Sequence, residues 1–292
     1  MNDDAPDTTI TACANCGKGE ESSCDLKACT ACKLVKYCNR ECQIAHRPLH
    51  KKACKKRAAE LHEEALFKEP PPREDCPICF LTLPLDEDSN IFQTCCGKII
   101  CRGCIHAMSG NKGGHCPFCR VPTAKSIEER NERMKKMAES GNAIANYNVG
   151  IYYYEGSCGF PQDNEKAIEL WLRAGELGHA GAYNNLGFSY YNGRGVEVDK
   201  KKAKHYFELA AMNGVLHARH NLGGMEGTAG NYQRAMKHFL LAAKSGYKLS
   251  LDKVKKGYMM GDVTKDEYAN TLRAYQKIQD EMKSDGRDRA QA

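Results

Sequence analysis

The residues with chemistry to offer are cysteines, and their spacing is regular. Cys-x-x-Cys pairs stand at Cys13/Cys16, Cys29/Cys32, Cys76/Cys79, Cys101/Cys104 and Cys116/Cys119. Two thiolates spaced this way can close on one metal ion, and two such pairs complete the tetrahedral shell of a structural zinc. Disulfides are the competing chemistry. The opening residues MNDDAPDTT are acidic and polar, unlike a secretory leader. The chain is therefore expected inside the cell, in cytoplasm and/or nucleus, where paired cysteines read as metal sites. Of the 17 cysteines only Cys158 lies beyond residue 119, so the metal chemistry belongs to the N-terminal part.

The donors fall into two clusters. The first comprises Cys13, Cys16, Cys29, Cys32, Cys38, Cys42, His50 and Cys54, enough for two tetrahedral ions. His50 and Cys54 are four apart and share one face of a helix. A module this small cannot stand on apolar burial alone, so metal is expected to replace a core. Cys24 breaks the paired pattern and reads as a loop thiol. His46 reads as a solvated neighbour of His50. The second cluster runs from Cys76 to Cys119 and contains the stretch TCCGKIICRGC at 94–104.

Helices are expected beside both clusters. KKRAAELHEEALFKE (55–69) reads as a charged helix stopped by Pro70-Pro71-Pro72, and KSIEERNERMKKMAE (125–139) as a polar one. Beyond them the chain repeats itself. Asn148-Val149-Gly150, Asn185-Leu186-Gly187 and Asn221-Leu222-Gly223 are equivalent, and so are the segments 166–178, 202–214 and 234–246. Each unit predicts a helix, a loop and a second helix. In the second helices Ala167, Trp171 and Ala174 match Ala203, Phe207 and Ala210, then Ala235, Phe239 and Ala242, all on one helical face. Gly178, Gly214 and Gly246 fall where helices end. The third unit lacks the loop Gly193-Arg194-Gly195, so its connection should be tighter. Units of this kind bury their apolar faces only by stacking into a solenoid.

These patterns resemble known families. The stretch KLVKYCNRECQIAHRPLHKKAC (33–54) resembles the MYND finger. That resemblance implies interleaved ligands: Cys13, Cys16, Cys38 and Cys42 on one zinc, and Cys29, Cys32, His50 and Cys54 on the other. It also implies peptide binding. Many members carry Trp between Cys42 and the His, where this chain has Ala45-His46-Arg47-Pro48. The run from Cys76-Pro77-Ile78-Cys79 to Cys116-Pro117-Phe118-Cys119-Arg120 resembles a RING finger. Its usual His would stand at Lys98, and lysine keeps its proton and ligates zinc poorly. Adjacent Cys95 and Cys96 supply the missing donor if the backbone turns at Gly97. One zinc is then expected on Cys76, Cys79, Cys101 and Cys104, and the other on Cys95, Cys96, Cys116 and Cys119. His115 is the runner-up ligand, and His106 reads as exposed. The repeats resemble the Sel-one-like repeat, a relative of the tetratricopeptide repeat. The whole arrangement is similar to zinc-finger proteins with such repeats in unicellular algae, diatoms in particular.

The expected organisation is a disordered 1–12, a MYND-type finger over 13–54, and a helical and Pro-rich linker over 55–75. A RING-type finger over 76–120 and a polar helical linker over 121–140 follow. Three helical repeats fill 141–249, with a helical cap over 250–283 and a disordered tail over 284–292. The fold class is thus two small zinc-stabilised modules of irregular α+β structure followed by an all-α solenoid, with four zinc ions, two per finger.

The RING resemblance implies a ubiquitin ligase that orients a charged ubiquitin-conjugating enzyme without a catalytic residue of its own. Ile78 and Pro117 map to the family's apolar contacts, and Arg120 to the cation that bonds both ubiquitin and its carrier. Met108 stands where many members have Trp. The repeats or the first finger would recruit a protein substrate. The alternative is a non-enzymatic scaffold for protein partners. The net charge of +6 over 292 residues is mild, and no aromatics flank the basic run 50–57, which argues against nucleic acid; a nuclear-import role for that run stays open. No apolar stretch approaches the roughly 20 residues of a membrane span. A methyltransferase has no residues left for its catalytic domain.

Overall fold

The computed structural model describes residues 11–19, 25–85, 87–109, 114–284 and 286–288. The expected disorder over 1–12 and the position of Cys24 thus lie outside the described residues, except that Ala12 bridges Gly19. The chain divides into two compact units, 1–68 and 69–292.

The first unit pairs β1 (Lys27–Ala28) with β2 (Lys36–Tyr37) in antiparallel fashion, then runs into α1 (Arg40–Phe67). The Asn39 side chain accepts the Cys42 N–H at 2.8 Å and so starts the helix. One continuous helix of 28 residues carries both the last zinc donors and the segment expected as a separate helix. Pro48 lies inside it. Pro48 removes one rung of hydrogen bonding to Ile44, a residue that is well exposed to water.

The second unit opens with the second cysteine cluster. β3 (Asn90–Phe92) pairs antiparallel with β4 (Ile99–Cys101), with Ile91 opposite Ile100, and α2 (Arg102–Ser109) follows. Ile100 is fully buried beside Leu83, Cys76, Cys101 and Cys116. Next comes α3 (Ile127–Glu139), capped by Ser126, whose hydroxyl accepts the Glu129 N–H at 3.2 Å.

Helical hairpins form the remainder: α4 (Ala143–Glu155) with α5 (Asn164–Glu176), α6 (Ala180–Asn192) with α7 (Lys200–Met212), and α8 (Leu216–Thr228) with α9 (Tyr232–Lys244). The last pair is α10 (Lys248–Met260) and α11 (Lys265–Met282), the latter started by a capping box of Thr264 and Glu267. The connection between α8 and α9 spans only 229–231, shorter than 156–163 and 193–199 in the other units. The alanine–aromatic–alanine faces are the solenoid core, with Trp171 2 %, Phe207 2 % and Phe239 4 % exposed. The recurrent glycines have one shared reason. A Cβ on Gly150, Gly187 or Gly223 would stand 2.5, 2.6 or 2.6 Å from the ring of Trp171, Phe207 or Phe239. Each aromatic packs against a backbone that has no side chain there.

Within this unit the second cysteine cluster touches helices from both ends of the solenoid. From α3, Arg133 donates to the Pro122 carbonyl at 2.7 Å. From beyond α11, Arg287 donates to the carbonyls of Thr82 at 2.8 Å, Leu81 at 3.2 Å and Met282 at 2.9 Å. Residues 286–288, assigned from sequence to a disordered tail, form a helical turn, and Arg287 is only 5 % exposed. The short polar tail gave no sign of this, because its partners lie about two hundred residues away in sequence.

Two measurements follow from this packing. Gly187→Ala is expected to destabilise the chain by about 1–3 kcal/mol through overpacking, whereas Gly224→Ala, whose Cβ meets nothing within 4 Å, should stabilise it by about 0.5–1 kcal/mol. Thermal unfolding of the two variants side by side checks the sign of each. Arg287→Ala should cost about 1–3 kcal/mol, chiefly by leaving the part-buried Thr82 contact without its donor; an unchanged denaturation midpoint would show that the anchor contributes nothing.

Candidate metal centres

Each centre is built from short turns that aim thiols inward. In four of the five Cys-x-x-Cys pairs the residue after the second cysteine is left-handed: Gly17 (φ 71°), Lys33 (57°), Phe80 (56°) and Arg120 (61°). Its N–H donates back to the carbonyl of the first cysteine, at 2.9 Å in all four turns. The loop reverses tightly, and both thiols point to one side. The strain of a left-handed lysine, phenylalanine or arginine is accepted to do so. The fifth pair is placed differently. Cys101 ends β4 and Cys104 sits in the first turn of α2.

The adjacent Cys95 and Cys96 occupy a turn of the same kind. Gly97 is left-handed (φ 71°) and its N–H donates to the Gln93 carbonyl at 2.8 Å. Buried Gln93 takes the place that the first cysteine has in the other turns. Lys98 is exposed, with its ammonium 5.8 Å from the centre of the Phe118 ring, and supplies no donor.

Among the described residues four donor groups result, each with its ligand atoms within 4.8 Å of one another. They are Cys13, Cys16, Cys38 and Cys42; Cys29, Cys32, His50 and Cys54; Cys76, Cys79, Cys101 and Cys104; and Cys95, Cys96, Cys116 and Cys119. Every donor proposed from the sequence falls into one of these groups. The distances fit zinc. A zinc–sulfur bond of about 2.3 Å implies sulfurs about 3.8 Å apart on a tetrahedron. Observed separations are 3.6 Å for Cys16–Cys38, 3.8 Å for Cys29–Cys54, 3.9 Å for Cys76–Cys104, 3.8 Å for Cys79–Cys101 and 3.4 Å for Cys95–Cys119. All are far too long for a disulfide of about 2.05 Å. His50 presents Nε2 to Cys32 at 3.1 Å.

Charge supports the same fit. Burial pushes the Cys13 and Cys29 thiols up, yet the N–H groups around them hold both down at about 6. Their neighbours move the other way. Burial and the adjoining Cys29 push Cys32 to about 12, and the contact with Cys42 pushes Cys38 to about 12. In the second module Cys76 is lowered to about 7 against its burial by the N–H groups of Cys79 and Cys101. Burial and neighbouring thiols push Cys95 and Cys104 upward. Within a cluster one thiolate forms readily and the next is opposed. A divalent cation removes that opposition, which is what a bound zinc would supply here.

Supporting residues appear that spacing alone does not reveal. His46 is half-buried, its Nδ1 3.1 Å from the Tyr37 hydroxyl, and its ring stacks on His50 at 5.7 Å and 14°. It is therefore not the solvated neighbour expected from sequence but a brace for the ligand ring. The spacing of His46 and His50 at i, i+4 was the available signal. His115 lies outside all four groups and is exposed, as is His106.

The expected carrier contacts divide. Met108, Pro117 and Arg120 line one cavity of about 590 Å³, together with His115 and with Arg130 and Arg133 of α3. Ile78 is not among the lining residues and packs against the buried cysteines of its own module.

Comparison with known proteins identifies two kinds of module. The MYND finger family matches residues 13–54, and the Sel1 repeat matches 143–179, 180–215 and 216–247. The chain thus carries a MYND finger and three Sel1 repeats, modules that point to protein–protein interaction. It is 36% identical over 91 residues to the ERAD-associated E3 ubiquitin-protein ligase component HRD3B of Arabidopsis thaliana, covering 31% of this chain and 14% of the relative. It is 40% identical over 67 residues to a putative sel1-like repeat-containing protein, L21, of Acanthamoeba polyphaga mimivirus, covering 23% and 13%. The chain therefore spans about a seventh of the length of these curated relatives. Among solved structures it is similar to a protective antigen of uropathogenic Escherichia coli with an SLR fold (28% identity, TM-score 0.46, 55% of this chain and 35% of that one). A Sel1 repeat protein from Oxalobacter formigenes is similar too (22% identity, TM-score 0.48, 60% and 71%). No helix among the described residues is long and apolar enough to cross a membrane.

Cys95→Ser is the direct test of the unusual turn. Zinc content measured by plasma emission should fall by one ion per chain relative to wild type. Unchanged content would return the fourth donor to another residue, His115 first.

Proposed function

We propose that the chain is a RING-type ubiquitin ligase that holds four zinc ions, two in each finger. The observation that carries this reading is the cavity at the second module. Met108, Pro117 and Arg120, which the family resemblance marks as carrier contacts, line it together, Met108 from α2 and the other two from the turn at 116–120. Arg120 sits in a left-handed turn fixed by its own N–H bond to Cys116, so its guanidinium leaves a rigid base. A planar fork of that kind suits two carbonyl acceptors on two partners at once. The second module would hold a ubiquitin-charged conjugating enzyme, and the rate gain would come from orientation rather than acid–base chemistry. The MYND finger and the Sel1 repeats would recruit the protein to be modified. The HRD3B relative, described as a ligase component, is consistent with such repeats working beside a ligase.

One observation favours the scaffold reading. Ile78 packs inward and α3 walls the cavity, so a carrier would have to accommodate Arg130 and Arg133. The two readings separate in a discharge assay. A panel of charged conjugating enzymes should lose ubiquitin faster with the wild-type chain. Arg120→Ala and Met108→Glu, both at exposed positions, should slow this by on the order of tenfold with zinc content unchanged. Ile78→Ala should slow it less. No discharge from any carrier by a fully zinc-loaded chain would establish the scaffold instead.

A further inference from the structure

The first module carries a groove of about 650 Å³ between the loop at 29–31 and one face of α1. Its lining includes Arg40, Ile44, Arg47, Lys51 and Lys55, and no carboxylate. These positions follow i, i+4, i+7, i+11 and i+15, the series of a single helical face. All five are exposed, Ile44 at 59 %. Further along the helix, off this face, Lys56 pairs with Glu60, and Arg57 with Glu60 and Glu64. Among the described residues Arg40, Arg47, Lys51 and Lys55 pair with none. Where MYND fingers often carry Trp, between Cys42 and His50, this chain turns Arg47 into the groove.

We infer that this groove binds an extended acidic segment of a protein partner, with carboxylates at alternate residues and one apolar residue among them. The spacing selects that pattern. Arg47, Lys51 and Lys55 rise about 6 Å from one to the next along the helix. Alternate residues of an extended chain are about 6.6 Å apart, so each carboxylate meets one cation. Arg40 lies about 10 Å before Arg47, with Ile44 between them, which places the apolar residue second in the order. The run from Arg40 to Lys55 spans about 22 Å, so five alternate residues of an extended chain, about nine in all, cover it. The nearby donors Cys29, Cys32, His50 and Cys54 with a zinc ion would carry one net negative charge, which four cations outweigh. Nucleic acid fits less well, because the rings in the lining, Tyr37 and His50, are buried at 3 % and 8 % exposure and offer no face on which a base could stack.

The inference deepens the recruitment part of the proposed function, and a binding assay without any conjugating enzyme keeps its failure separate from that of the ligase reading. The full-length, zinc-loaded chain is titrated into a labelled peptide of the order Asp-Ser-Leu-Ser-Glu-Ser-Glu-Ser-Glu, and into its amide counterpart with Asn and Gln. A single-stranded oligonucleotide of equal charge is the third probe. The acidic peptide is expected to bind at least about tenfold tighter than the amide form and to weaken with salt. The double variant Arg47→Glu/Lys51→Glu should lose at least about tenfold, while Lys52→Glu/Lys56→Glu, the same charge change outside the groove, should stay within about twofold. Zinc content and helicity confirm that each variant is folded. Equal binding of the amide form, equal loss in the control pair, or no binding of the acidic peptide would overturn the inference. Tighter binding of the oligonucleotide would overturn it in favour of nucleic acid.

Discussion

Four soft donors drawn within 4.8 Å of one another cannot all carry charge unless a cation sits among them, because thiolate repulsion at that distance is worth several kcal/mol near a protein surface. The rest of both fingers depends on that constraint. Two-stranded sheets of two or three residues and a few buried side chains give too little apolar burial to hold a module together. The fingers are instead organised as supports for their donors. Left-handed turns after the second cysteine, N–H bonds back to the first, and the Tyr37–His46–His50 stack all aim ligand atoms at a shared centre. The cluster built on Cys95 and Cys96 obeys the same rule with a changed cast, Gln93 anchoring the turn where a cysteine usually would.

The solenoid rests on a different physics. Its helices are held by close approach, an aromatic ring laid on a glycine backbone between alanines, repeated three times. No metal or buried ion pair is needed for that contact, so the two halves of the second unit should respond differently to chelation. The cysteine module would loosen while the hairpins keep their core.

Much of this was legible in the sequence because the signals are local and recur. Cys-x-x-Cys reports a turn, and Ala-x3-aromatic-x2-Ala reports a helical face, each within a few residues of chain. Gly150, Gly187 and Gly223 were visible as equivalent before their reason was, since the rings that require them sit in the following helix. The supports were harder to see. Nothing in the composition of 284–292 says that Arg287 reaches the carbonyls of Leu81 and Thr82, because that contact is a property of the closed fold and not of either segment. The bracing of His50 by His46 and the inward packing of Ile78 were hidden for the same reason. Each depends on a partner that only the tertiary structure brings near.

The Arg287 anchor also sets an order of events during synthesis. The cysteine module leaves the ribosome early, yet the guanidinium that satisfies its loop lies 205 residues later than Thr82. At about 5–20 residues per second the nascent module waits some tens of seconds with the Thr82 carbonyl lacking that donor, while Leu81 keeps only the Cys76 N–H. During that interval any metal it took up would depend on the cysteine module alone. A chain stalled or cut before Arg287 would keep its repeats and its donors but never gain the final latch, leaving a species with native helices and a labile zinc. Such a product would be distinguishable from the finished protein by how quickly it gives up metal to a competing chelator.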